Sequence, residues 1–171
     1  MTIALLVLLA APPAPATLVL PFDPVEANAE YVWAGPAASE LLARGLAVAG
    51  VPVAGRAERL RAQAALELPQ VSLTRATSLR IAEALGANRL VTGTYAIQGG
   101  QLTLSLRLLD AERASLSSPI VASGALETLS DLAHGVAWDV ALASSTAKQL
   151  PRGRGSWRRS PANDRTMARE T

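Results

Sequence analysis

Between Gln101 and Asp110 the chain alternates leucine with polar residues. Leu102, Leu104, Leu106 and Leu108 fall on one side, and Thr103, Ser105 and Arg107 fall on the other. A period of two with one polar side predicts a half-buried antiparallel strand. The preceding run, Arg89 to Gln98, has strand character as well, and Gly99-Gly100 stands between the two. Two glycines there supply the positive φ angles of a tight hairpin turn. Residues 119–124, "PIVASG", read as a third strand of this meander.

Elsewhere the apolar period lengthens. Leu41, Leu42, Leu46 and Ala49 form a helical stripe after Gly35 and Pro36, with proline in the first turn and Gly50 past the end. Residues 57–66 have helical propensity. Thr74 stands where an N-cap is needed, ahead of an inner face of Leu79, Ala82 and Leu85 that Gly86 ends. A last helix, from about Glu127 to Ala143, carries Leu129, Leu132, Ala133, Val136, Val140 and Ala143 on one stripe. Short apolar strands are expected at residues 17–22 and at "VPVAG". The order β-α-β-α-α-β-β-β-α predicts an α/β fold. Parallel strands separated by helices join an antiparallel meander in one mixed sheet of about five strands packed against helices.

The ends of the chain differ from its middle. Residues 1–16 are apolar, then small and proline-rich, ending Ala14-Pro15-Ala16. They read as a signal peptide with a small-residue cleavage site, although a basic start is missing. From Ser144 the pattern gives way to polar, basic and Pro/Gly-interrupted sequence, which predicts disorder over 144–171. The domain is therefore expected at 17–143. The net charge of +2 conceals an asymmetry. Residues 1–147 hold nine Arg against twelve Asp and Glu, whereas residues 148–171 hold seven Lys and Arg against two acids. A basic partner-binding argument thus concerns the tail alone, where "PRGRGSWRRS" fits an acidic surface or polymer. The sequence has no cysteine. That excludes disulfides, thiol catalysis and thiolate metal sites, and a lipobox anchor is not expected.

Three segments resemble the TolB-like N-terminal domain of bacterial envelope proteins and of proteins with tetratricopeptide repeats. "LVLPF" followed by a polar loop matches the opening strand, and "EYVWAGPAASELLARGLAVAGVPVAGR" matches the first helix and the strand after it. "IAEALGANRLVTGTYAIQGGQLTLSLRLLDAERA" is similar to the family's signature, although "AERAS" stands where the family usually has a glycine, and no repeat array follows. The resemblance covers residues 17–143. It implies the mixed α/β fold and a non-catalytic role in protein–protein contact at the bacterial envelope, exported or periplasmic. It supplies no catalytic residue.

Candidate chemistry is sparse. Gly93, Gly99 and Gly100 lie between strands, not between a strand and a helix N-terminus, so they do not form a phosphate loop. Gly93 is expected to admit a helix packed across the sheet. His134 is the single histidine and cannot build a multi-histidine zinc site. No metal and no cofactor are expected. Ser145 to Lys148 matches a Ser-x-x-Lys pattern without its supporting motifs. Asp23, Glu26 and Glu30 sit after the first strand, where α/β sheets bind ligands. If Asp23 and Glu26 met Arg56 in one concavity, a ligand-binding or enzymatic reading would gain. A nucleic-acid adaptor working through the tail is a further alternative. Arg107 and Asp110 read as surface charge or a structural ion pair. Partner anchors are expected at Trp138, with His134 and Leu142 along the same side of the last helix, and at Tyr31 and Trp33. The competing expectation for Trp138 is burial under the connection from Glu67 to Thr74.

Overall fold

The leucines of the alternating strand lie at the centre of the molecule, and every helix is placed by the face of the sheet it covers. The computed structural model describes residues 16–68 and 73–144. In chain order the elements are β1 (Ala16–Val19), β2 (Asp23–Pro24), a 3₁₀ turn (Ala29–Tyr31), α1 (Ala34–Val48), β3 (Val53–Ala54), α2 (Arg56–Ala65) and α3 (Arg75–Ala84). There follow β4 (Ala87–Gln98), β5 (Gln101–Asp110), β6 (Ser115–Leu116), β7 (Ile120–Ala125), a 3₁₀ turn (Leu126–Thr128) and α4 (Leu129–Ala143).

The sheet is mixed, as expected. It runs β3-β1-β4-β5, with β1 parallel to both β3 and β4. The hairpin β4–β5 pairs Arg89 with Asp110 through to Gln98 with Gln101. Gly99 and Gly100 turn it, both at positive φ (56° and 76°). The outer edge of β5 pairs with β7 over Gln101 to Leu106 and with β6 over Leu109 and Asp110. Among the described residues there are seven strands where about five were expected, because β2 and β6 are two-residue pairings that no sequence periodicity marks.

Each face has its own core. Leu102, Leu104, Leu106 and Leu108 join Val91 and Tyr95 under α1 and α4. Leu18, Leu20, Leu90 and Leu109 lie under Ala62 of α2 and Ile81 and Ala82 of α3. Gly45 brings α1 and α4 together, since a Cβ there would stand 2.7 Å from the Ala137 methyl. Close approach at a small residue of this kind is how α4 buries Ala137 and Ala141 as well as Val136 and Val140.

Several expectations shift. The inner face of α3 is centred on Ser78, Ile81 and Ala82, with Leu79 and Leu85 only half-buried. Thr74 does cap α3, accepting from the Thr77 amide at 3.2 Å, and Gly86 follows it at positive φ. Ala143 of α4 is exposed rather than on the buried stripe. Gly93 makes its closest approach to the neighbouring strand rather than to a helix. A Cβ there would stand 2.7 Å from both Leu106 Cδ2 and the Ser105 carbonyl oxygen, so the space is taken by the cross-strand neighbour. The expected signal segment up to Pro15, the Ser-x-x-Lys pattern and the basic tail lie outside the described residues.

Candidate functional site

On the face of the sheet that α2 and α3 cover, a groove opens between these helices and the hairpin. Its floor is the polar side of the hairpin, with Thr92 and Thr94 of β4 and Ser105 and Arg107 of β5. Its walls are Arg56, Arg59, Leu60 and Gln63 of α2, with Arg75 and Ser78 of α3. Leu20 to Pro24, Val32 and Pro36 close the far side. The cavity measures about 760 Å³.

The electrostatics are one-sided. Arg59 is half-buried, and burial, then repulsion from Arg56, holds its guanidinium below the ordinary arginine value, with Glu40 opposing. Its Nη1 donates to Oε1 of the buried Gln63 at 3.3 Å. Arg75 donates to the Ala114 carbonyl at 3.1 Å. Among the described residues no carboxylate lies within ion-pair distance of Arg56, Arg59, Arg75 or Arg107. The two acids of the groove are Asp23 and Glu40, and Glu40 pairs with Arg44 at 3.5 Å.

The segment after β1 forms the second feature. Val25 donates its amide to the Tyr95 carbonyl at 2.8 Å, which extends the β2–β4 pairing. Asn28 Oδ1 accepts from the Glu30 amide at 2.9 Å and caps the 3₁₀ turn. The Tyr95 hydroxyl donates to the Tyr31 carbonyl at 2.9 Å. Gly35 lets α1 start against this corner: a Cβ there would fall on the Phe22 carbonyl oxygen and stand 2.7 Å from the Tyr95 ring. The segment thus pinned leaves Val25 62%, Val32 66% and Trp33 50% exposed. Glu26 and Tyr31 line a separate cavity of about 300 Å³ beside Tyr95 and Ile97. The Tyr31 hydroxyl is raised above its ordinary pKa by a hydrogen bond to Glu30 and by that carboxylate's charge.

The convergence of Asp23 and Glu26 with Arg56 that would favour a ligand-binding or enzymatic reading is met only in part. Asp23 shares the main groove with Arg56, Glu26 lies at the second cavity, and Glu30 interacts with Tyr31. Arg107 lies on the groove floor without a carboxylate, while Asp110 accepts from the Arg113 amide at 2.9 Å and its guanidinium at 3.0 Å. His134 and Trp138 belong to α4, on the opposite face from the groove. His134 Nδ1 donates to the Ser130 carbonyl at 2.7 Å. Trp138 is half-buried, and α1 packs beside this helix at Gly45. Leu68 and Leu73, towards the two ends of that connection, pack with the core on the other face, and residues 69–72 lie outside the described residues. Leu142 is exposed on α4, and Val48 is exposed on α1. Trp33 precedes α1 and lies twelve positions before Gly45, about 18 Å along the helix, so the two tryptophans form separate patches.

The sequence alone does not reveal the gathering of Arg56, Arg59, Arg75 and Arg107. Arg56 and Arg59 sit three apart on a helix and Arg107 sits on the polar side of an alternating strand, which hints at one face. Only the topology places the two elements side by side.

Among the described residues no three His, Asp or Glu cluster as metal ligands, and no helix is long and apolar enough to cross a membrane. No protein-family model matches the chain, and no curated protein matches it. Solved structures do match. The C-terminal domain of LpoB from Salmonella enterica superposes with a TM-score of 0.54 at 20% identity, over 65% of this chain and 82% of that one. Lipoprotein GNA1162 from Neisseria meningitidis gives 0.51 at 18% identity, over 75% of this chain and 99% of that one. TolB from Acinetobacter baumannii gives 0.46 at 15% identity, over 77% of this chain and 29% of that one. The chain shares the mixed α/β fold of the LpoB domain and GNA1162, and the TolB chain is too distant in shape to add to that.

Proposed function

We propose that this chain is a non-catalytic, TolB-like module of the bacterial cell envelope that binds another envelope protein through the segment after its first strand. The observation that carries the reading is the ordered exposure of Val25, Val32 and Trp33. Large apolar side chains held in place at a surface lose little entropy on binding, and aromatic anchors of this kind dominate interface energetics. The fold shared with a neisserial lipoprotein domain and the apolar, small-residue character of residues 1–16 support the compartment. Trp138 and Leu142, with His134 beside them, form a second and smaller candidate surface on α4.

The reading is tested in the native host by mapping the mature N-terminus with mass spectrometry and placing a photo-crosslinking residue at position 33, at position 138, or at the exposed Glu83 of α3. Export with loss of residues 1–16, and a crosslinked protein from position 33 but not from position 83, is the expected result. Retention of the N-terminus in the cytosol, or crosslinks indifferent to position, overturns it.

A further inference from the structure

We propose that the groove between α2, α3 and the hairpin takes an extended acidic segment of the partner protein, its carboxylates seated on Arg56, Arg59, Arg75 and Arg107. This rests on reading the chain as a protein-binding module and names the chemistry of what it binds.

Charge distribution gives the first argument. Residues 16–144 hold nine arginines and twelve acids, so the fold is net negative. Four of those nine arginines line one groove, where the acids number two. Concave sites lined by one sign of charge concentrate the field and attract the opposite sign. Glu40 is already paired with Arg44, which leaves Asp23 as the groove's remaining acid.

Pairing gives the second. Guanidiniums at a protein surface commonly find a carboxylate or stand free in water, whereas Arg59 is half-buried beside Arg56 with a neutral amide as its hydrogen-bond partner. A partly desolvated cation next to a like charge is stabilised by an incoming anion, and the planar guanidinium matches a carboxylate in two-point fashion.

Spacing gives the third, and selects the occupant. Arg56 follows β3 at one margin of the sheet, and Arg107 sits on β5, three strand spacings away in the order β3-β1-β4-β5. Three strand spacings are about 14 Å across the sheet, the reach of about four residues of extended chain. A row of carboxylates at alternate positions of a peptide meets such a spread better than one small anion does. Leu60 and Leu73 stand among the arginines and suit apolar residues between the acids. The chain's own segment 148–171 is net positive and so lacks the charge that the site selects.

The test uses the full chain and a fluorescein-labelled peptide of alternating Glu and Ala, about ten residues long, read by fluorescence anisotropy. The expected result is saturable binding that weakens about tenfold or more between about 50 and 500 mM salt. Arg56→Gln with Arg107→Gln is expected to weaken it by a further tenfold or so. Among the described residues neither side chain has an ion pair, so circular dichroism of the variant should match the parent. Binding of a Lys-Ala peptide with equal affinity, binding unchanged in the double variant, or no saturable binding overturns the proposal. Displacement by inorganic phosphate at the same anion concentration overturns it in favour of a small-anion site. The crosslink from position 33 is read separately. If it persists while the peptide fails, the groove assignment falls and the protein-binding reading stands.

Discussion

The hydroxyl of Tyr95, near the far end of β4, donates to the main-chain carbonyl of Tyr31 at 2.9 Å and so ties the sheet to the loop that carries Trp33. The ring is buried, and burial first, then the charge of Asp23, raises its hydroxyl above the ordinary tyrosine value. Tyr95→Phe removes one hydrogen bond and leaves a partly buried acceptor, which should cost about 0.5–1.5 kcal/mol in chemical denaturation. Amide exchange at Tyr31 and Val32 should quicken while that in β5 stays slow. The pH dependence has a definite sign. Because the folded value is raised, this contribution is fully present below the ordinary tyrosine pKa and is lost as pH rises through the folded value. The Phe variant should therefore lack that part of the alkaline destabilisation, and a parallel loss in both proteins would count against the assignment.

The sequence disclosed those features that rest on local rules. The alternation from Gln101 to Asp110, the Gly99-Gly100 turn and the Thr74 cap each follow from neighbours within a few positions, and all are present. What it hid depends on partners far along the chain. The two-residue strands β2 and β6 exist because β4 and β5 offer them an edge, not because Asp23-Pro24 or Ser115-Leu116 favour extension. Ala137 and Ala141 are buried because Gly45, some ninety positions earlier, admits α4. The arginine groove is hidden in the same way, since α2, α3 and β5 meet only in three dimensions.

Two strand glycines should respond in opposite ways to alanine. At Gly93 the added methyl meets Leu106 Cδ2 and the fixed Ser105 carbonyl at 2.7 Å, so Gly93→Ala should cost about 1–3 kcal/mol. At Gly124 of β7 the nearest atoms, Thr128 Oγ1 and Leu132, stand at 3.5 Å and beyond, an ordinary contact. Gly124→Ala removes freedom from the unfolded chain without strain and should be neutral or stabilising by up to about 1 kcal/mol. Urea melts of the pair decide it. If Gly93→Ala is as well tolerated as Gly124→Ala, the cross-strand account of Gly93 is wrong.

The tryptophans should separate stability from binding. Leu46 is fully buried in the α1–α4 core, and Leu46→Ala should cost about 2–5 kcal/mol. Trp138 is half-buried and lies outside that core cluster, so Trp138→Ala should cost clearly less. Trp33 is half exposed at the start of α1, and Trp33→Ala should stay within about 0.5 kcal/mol of the parent. Thermal melts of the three variants establish the ranking. A Trp138→Ala loss equal to that of Leu46→Ala would make Trp138 a core residue and remove α4 as a binding surface.

Asp110 closes the turn after β5, and its carboxylate is held below the ordinary aspartate range. The Arg113 backbone amide is the largest cause, opposed by desolvation and reinforced by the Arg113 guanidinium. A depressed folded pKa contributes stability above the unfolded value and loses it as pH falls through the folded one. Asp110 should therefore be ionised to a greater extent than free aspartate at the same acidic pH, as carboxyl chemical shifts would report. Arg113→Gln removes the exposed guanidinium but keeps the amide, so it should raise the Asp110 pKa only part of the way back. A full return to the ordinary range would assign the shift to the ion pair instead. No change at all would leave it with the backbone alone, and the surface bridge of Asp110 to Arg113 would then contribute nothing to the turn.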